Sequence, residues 1–514
     1  MDANISQILP SSSTEAGLLL RHWSVTNLVL TCVAVIFILP KLVSLLQNVF
    51  SPLRSIPGPL LNKVSSWPLT IATLKGTSHH FTRILHEKYG PIVLLAPGII
   101  SVADAGEIRR IIKSEDWAKS HAIYGNFRQD PDRPTLLAFT DKKAYGRRKR
   151  LISGMFGIKC IRNMEPLMRD CVAVAVRELG RACDGAGHLV HGLAIDIIGV
   201  TTFGQSFHVV ENGSHPLPTR LKQGLKLAAW MMLIPWIRKL PLLPTRDPYI
   251  DQFTRDIVNG RRRELASGER SGARADLLQW LVKASSSDDD AGSEFRTSDV
   301  QDESVVLLTA GSETTANAEL FTLLLLAKHP AALERLYQEV DWWYPADDPG
   351  RETDCGYSLM GMVYLQACIN EAMRLVPGQA TGSPRETSRD EVVLNYRVPQ
   401  GTTVFPSTQE AHTDPCLWDQ PQRFMPERWL DGAIDDAAVP FWPFSAGNRV
   451  CIGKHFALQE MHLTLVTLLR HFAFEHIPGQ DETTVFRVAQ QLRAEAYWMK
   501  VSRRMSVKAV GGGA

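Results

Sequence analysis

The chain lacks most of what would divide it into parts or direct it to a polymer. Only 8 of its 514 residues are cysteine, and none forms a Cys-x-x-Cys pair. That excludes a disulfide framework and points to a reducing compartment. The formal net charge is only +2, without the strong basic excess that nucleic-acid binding uses, so no nucleic-acid partner is expected. After residue 60 there is no Gly/Ser linker, no charge block and no internal repeat. The length alone allows about two to four domains, but nothing marks a boundary, and one large domain is expected. No glycine-rich dinucleotide fingerprint is present either, so no flavin or nicotinamide site is expected within the chain. The apolar content, 45%, is ordinary for a globular protein with a full core.

Long hydrophobic runs are scarce, with one exception. Trp23 to Leu39 carries no charge and, at about 17 residues, is long enough to be a membrane-spanning candidate. No small-x-small cleavage site follows it, which argues against a removed signal peptide. It has no amphipathic period, which argues against a core helix. Lys41, Arg54 and Lys63 follow it, while Arg21 before it is offset by Asp2 and Glu15. This bias places the body of the chain on the cytosolic side. Ser51 to Pro59 holds three prolines, a stiff spacer between membrane and domain. The expected order is a short lumenal N-terminus (1–22), a transmembrane anchor (23–40), a proline-rich hinge (41–60) and a catalytic body (61–514).

The most informative segment is Phe444-Ser445-Ala446-Gly447-Asn448-Arg449-Val450-Cys451-Ile452-Gly453. It fits Phe-x-x-Gly-x-Arg-x-Cys-x-Gly, which average composition produces in only about one chain of this length in ten thousand. A cysteine thiolate can bind haem iron and favour O–O cleavage. A helical pattern from Ile452 to Phe472 places Cys451 at a helix N-terminus, where the dipole and free N–H groups favour an anion. Arg449 can pair with a haem propionate, Phe444 can cover the sulfur, and Gly447 and Gly453 allow close backbone approach. A buried structural cysteine is the competing reading, and the four flanking matches weigh against it.

From these residues on, the sequence resembles the cytochrome P-450 family, from about Pro57 to the C-terminus. The resemblance implies a mainly α fold with small β-sheets, a single large catalytic domain behind an N-terminal transmembrane anchor. It also implies haem b with Cys451 as its axial metal ligand. Further signatures follow in the family's order. A helix from Ser298 to His329, with Ser298 and Gln301 as a capping box and Pro330 as its stop, carries Ala310-Gly311-Ser312-Glu313-Thr314-Thr315. Polar groups in the middle of an apolar helix need partners or a role. Thr314 can back-bond and bend the helix, and Gly311 removes a side chain where the helix would crowd the haem. The resemblance implies that Thr314 and Glu313 are catalytic. Glu371-Ala372-Met373-Arg374 puts two ionic groups on one helix face, and Pro426-Glu427-Arg428-Trp429 adds a third. Glu371, Arg374 and Arg428 then form a structural ion network behind the haem.

Other propionate partners implied by the resemblance are Arg385, in Ser383-Pro384-Arg385-Glu386, and two residues of a basic helix near Asp141 to Phe156. In that helix Tyr145 and Lys149 stand where the family usually has Trp or His, then Arg. Lys lacks the bidentate fork of Arg, and Arg148 is an alternative. Ile92 to Leu95 and Ile99 to Val102 read as a hairpin after Tyr89-Gly90-Pro91, and Val392 to Val404 as short strands. Leu225 to Leu243, apolar, basic and interrupted by prolines, reads either as a core helix with a loop or as a membrane-interface segment.

The likeness is greatest to membrane-anchored fungal microsomal members. It implies a haem-thiolate monooxygenase of the endoplasmic reticulum membrane, single-pass with a cytosolic domain. Its electrons would come through NADPH-cytochrome P-450 reductase, possible help from cytochrome b5 included. Its substrate would be an apolar small molecule of secondary metabolism. The same oxidant could serve desaturation, ring closure or coupling. An oxygen-independent isomerase or dehydratase fits less well with Gly311 and Thr314 intact, and a haem electron carrier or sensor is a third class.

Overall fold

A computed structural model describes residues 46–504 apart from 128–132, 182–188, 222, 225–246, 268–275, 286–294, 346–360, 431–438, 488 and 495–496, together with Asn27, Leu39, Leu42 and Val43. The anchor expected at Trp23 to Leu39 therefore lies almost wholly outside the described residues, as does the whole of Leu225 to Leu243. Among the described residues, no helix is long and apolar enough to cross a membrane.

Helices dominate. Those of eight residues or more are α1 (Trp67–Leu74), α2 (Ser78–Tyr89), α3 (Lys142–Ser153), α4 (Ile158–Arg181), α5 (Leu189–Phe203), α6 (Pro248–Ser267), α7 (Leu277–Ala284), α8 (Thr297–Lys328), α9 (Pro330–Trp343), α10 (Val363–Leu375) and α11 (Lys454–His471). The strands are short: β1 (Ile92–Ala96), β2 (Ile99–Val102), β3 (Ala118–Lys119), β4 (Arg385–Glu386), β5 (Glu391–Val393), β6 (Tyr396–Val398), β7 (Thr403–Pro406), β8 (Phe472–His476), β9 (Thr484–Phe486), β10 (Gln490–Leu492) and β11 (Met499–Arg503). The largest sheet runs β1-β2-β7-β4-β3. The expected hairpin is its edge, with Ile92 opposite Val102. β2 and β7 pair in parallel, although some three hundred residues of chain separate them, so this sheet binds the N-terminal region to the segment carrying Arg385.

The helical core is one cluster drawn from α3 to α11, and a smaller one packs on the sheet. α8 runs through the first of these. It is apolar along most of its length, yet it buries Asp299, Asp302, Glu303, Asn317 and Glu319. Its start differs from the expected capping box. The carboxylate of Asp299 accepts the backbone N–H of Arg296 at 2.8 Å, so the cap is Arg296/Asp299 rather than Ser298/Gln301. The aspartate at the third helical position reaches back to the free N–H one turn before it.

Gly311 also has a neighbour within the protein. A Cβ there would stand 2.8 Å from Cδ1 of Ile198 on α5. Two helices cross closely here, and a larger residue would push the Ile198 side chain aside.

Candidate active site

The loop before α11 is held by its own backbone. Gly447 has φ of +68° and a Cβ there would lie 2.5 Å from the carbonyl oxygen of Ile112, so only glycine fits. Ser445 is also left-handed, at φ 59°. The Cys451 N–H donates to Phe444 O at 2.9 Å and Val450 N–H to Gly447 O at 3.2 Å. Phe444 thus fixes the cysteine through its main chain, and its ring lies 6.0 Å from the ammonium of Lys454. Gly453 differs from the expectation. Its φ is negative, at −84°, and its amide donates toward the Cys451 sulfur. A Cβ on it would come 4.0 Å from Sγ. α11 begins at Lys454 rather than at Ile452, and the cysteine sits just ahead of it.

Cys451 retains accessible surface although it lies deep in the protein. That combination belongs to a side chain lining an interior hollow. Ala310, midway along α8, is likewise accessible. Burial pushes the Cys451 thiol up from its ordinary value; the Gly453 amide and Lys119, Lys149 and Lys454 act the other way. In the protein alone, desolvation is the larger of these opposing influences. A coordinated metal ion would reverse this balance, because a metal-bound thiol is deprotonated outright.

Several cations lie on one side of this loop. Arg385, on β4, is fully buried, and its Nε, Nη1 and Nη2 have no partner among the described residues. An unpaired buried guanidinium is costly. Arg449 is buried too, donates to Phe139 O at 3.0 Å and Thr140 O at 3.4 Å, and stacks 3.8 Å from the centre of the Tyr145 ring. Lys149 donates to Asn448 O at 2.6 Å, which ties α3 to the cysteine loop. Arg148, the alternative to Lys149, is spoken for elsewhere. It is buried against Glu303 at 3.1 Å and Asp299 at 3.5 Å on α8.

Sequence reasoning missed Lys119. It is buried, donates to Leu137 O at 2.8 Å, and its ammonium lies 4.6 Å from the Tyr124 ring centre. Burial, then Arg449 and Arg385, push its pKa down to about 7. Nothing in its local sequence marks it, because its neighbours come from β4, the cysteine loop and α8. Arg385, Arg449, Lys119, Tyr124 and Tyr145 together make a low-dielectric cation cluster that would suit a dianion. The two propionates of a haem carry that charge, so these residues fit the group the cysteine motif implies.

Behind the loop, Glu371 and Arg374 of α10 are both fully buried. Glu371 accepts from Arg374 at 2.8 Å, from Arg428 at 3.1 Å, from the Trp429 indole at 2.9 Å and from the Met425 amide at 3.0 Å. Arg374 spends its remaining donors on His412 O, at 2.8 Å, Pro421 O, at 2.7 Å, and Arg423 O. His412, a second residue the sequence did not reveal, accepts the Trp442 N–H at Nε2, at 2.9 Å. Burial and then Arg374 hold it neutral, down to about 3. Ser445 N–H bonds Trp442 O, so hydrogen bonds run from the ion network to the cysteine loop.

In α8, Thr314 Oγ1 donates to Ala310 O at 2.6 Å. This is the back-bond that loosens a helix. Asn317 Nδ2 donates to Glu313 O at 2.6 Å, a second side chain drawing on the same turn. Thr315 is buried while Glu313 and Thr314 are half-buried.

The comparisons with known proteins agree with this geometry. The family model "Cytochrome P450" matches residues 57–494. The chain belongs to the cytochrome P450 family. It is 66% identical over 494 residues to the cytochrome P450 monooxygenase LUC2 of a Fusarium species, covering 94% of this chain and 96% of that one. It is 61% identical to the cytochrome P450 monooxygenase FUS8 of Gibberella fujikuroi, covering 94% and 95%. The crystal structure of the cytochrome P450 CYP102L1 superposes with a TM-score of 0.70 at 21% identity, covering 82% of this chain and 94% of that one. The fold is the P450 fold, mainly helical with small sheets. The chain is a P450 monooxygenase, an enzyme whose family uses a haem-thiolate iron, a redox partner and a small-molecule substrate.

Proposed function

We propose that Cys451 is the axial ligand of haem b. In this reading Arg385, Arg449, Lys119, Tyr145 and, more peripherally, Lys149 face its propionates, and Phe444 and Gly453 hold the sulfur. The observation that carries the reading is the fully buried, unpartnered guanidinium of Arg385 beside the cysteine loop. When bound, the haem supplies oxygen activation with electrons passed from NADPH by a cytochrome P-450 reductase, with cytochrome b5 as an auxiliary donor. The substrate is an apolar small molecule, and the fungal relatives support a place in secondary metabolism. Desaturation, ring closure or coupling would use the same residues, because the outcome depends on how the substrate is posed.

The protein's own part is to exclude water, hold the thiolate and deliver protons. Thr314 Oγ1 gives its hydrogen to Ala310 O in the resting arrangement and keeps its lone pairs free to accept. A proton arriving at Thr314 Oγ1 from Glu313 or water would be matched by the hydroxyl's own hydrogen leaving Ala310 O, so that Thr314 would pass one proton on into the hollow. Positioned proton donors contribute roughly 10²–10⁴ in rate. Thr314→Ala should leave haem content and the carbon monoxide spectrum near normal while NADPH is still consumed and hydrogen peroxide largely replaces product. Measured coupling equal to that of the parent enzyme would show Thr314 to be a structural hydroxyl only.

Residues 1–60 act as anchor and hinge at the endoplasmic reticulum membrane, with the body cytosolic. Besides the uncharged run, the described residues after it support this. Phe50, Leu60, Trp67 and Ile71 are 81%, 80%, 67% and 45% exposed, a concentration of bare apolar side chains in the segment leaving the anchor. Removal of residues 1–50 should shift much of the protein to the soluble fraction with its haem spectrum intact, some membrane binding persisting through this patch. Loss of haem on truncation would contradict a purely anchoring role.

A further inference from the structure

The segment Thr135–Thr140, between the sheet and α3, is held by side chains from three separate elements. Glu303 of α8 accepts the Leu136 N–H at 2.9 Å. Lys119 of β3 donates to Leu137 O at 2.8 Å. Arg449 donates to Phe139 O at 3.0 Å and Thr140 O at 3.4 Å. Just before the segment, Arg133 bonds Ser298 of α8. The segment is thus a strap from the first third of α8 to the residue two places before Cys451. We propose that Glu303 is a positioning residue for the haem: through this strap it sets the backbone acceptors on which Arg449 rests, and so links the grip on the propionates to pH.

Glu303 is 1% exposed. Its charged surroundings are Arg148 of α3 at 3.1 Å, Asp299 one turn earlier on α8, and Lys119 of β3. Arg148 and Lys119 favour its ionised form and Asp299 opposes it. Burial is the largest influence and pushes the carboxyl up to about 7. A carboxyl that leaves the strap for water returns to its ordinary value near 4.5. The held state therefore binds the proton more tightly than the released state. Its advantage is complete below about 4.5 and is lost as pH rises through 7. The strap is firmest in mild acid and loosens toward neutrality. Glutamine at this position resembles the protonated acid at every pH, and its Oε1 can still accept from Leu136.

The inference rests on the haem reading above, and the test separates the two. Haem transfer from the holoenzyme to apomyoglobin is followed for the parent and for Glu303→Gln between pH 5.5 and 8. The ratio of parent to variant rates should climb by up to roughly thirtyfold, the change in the held state's advantage between those pH values for a carboxyl shifted from near 4.5 to about 7. A ratio constant with pH overturns the inference while leaving haem binding standing. Protein that never binds haem overturns both. Should Glu303→Gln not fold, hydrogen exchange on the parent decides. Protection of the Leu136 amide, corrected for intrinsic rate, should fall by up to roughly thirtyfold over the same range. Unchanged protection rules the strap out as a pH-linked device.

Discussion

Arg374 and Arg385 are both fully buried, yet they could hardly be more different. Arg374 spends its donors on Glu371 and on three backbone carbonyls. Arg385 spends none of its donors on the described protein. The first belongs to a network closed by Glu371 and backbone carbonyls; the second has no anion beside it among the described residues, and in the proposed reading it faces a haem propionate. A buried ion pair is expensive to break, and an unpaired buried ion is expensive to keep. In the proposed reading, the cation side lowers the stability of the haem-free protein so that an anionic group can be held, while the triad side is closed by the chain's own groups.

That comparison can be broken from either side. The largest effect is expected at the triad. Glu371→Gln leaves Arg374 and Arg428 without their shared carboxylate and should cost about 3–5 kcal/mol, read as loss of folded, haem-loaded protein on expression. A stable variant with a normal spectrum would show the network to be dispensable. A smaller and opposite effect is expected at Arg385. Arg385→Met should raise the denaturant midpoint of the haem-free protein, by on the order of 1–4 kcal/mol, and weaken haem retention in titration. Loss of stability in the haem-free variant would mean that Arg385 has a protein partner after all and would remove the contrast.

The sequence made the cysteine loop, the triad and the long helix legible because their chemistry is local. Cys451, Arg449 and the glycines lie within ten residues, Glu371 and Arg374 share one helix face, and α8 departs from its expected bounds by one residue at each end. Lys119, His412 and Glu303 were not legible. Each works through contacts with residues distant in the chain, such as Glu303 with Leu136 or His412 with Trp442, and no spacing rule reaches that far. Arg148 was misjudged for the same reason: its partners Asp299 and Glu303 lie on another helix. The contact of Gly311 with Ile198 on α5 was not legible either, because it joins two helices far apart in the chain.

The central claim is that the thiolate of Cys451 holds the iron. The direct measurement is the reduced, carbon monoxide-bound absorption spectrum of Cys451→Ala beside that of Cys368→Ala, the latter removing a buried cysteine of α10. The account predicts that the red-shifted Soret band of thiolate ligation disappears in the first protein and persists in the second; the band surviving in Cys451→Ala would contradict it.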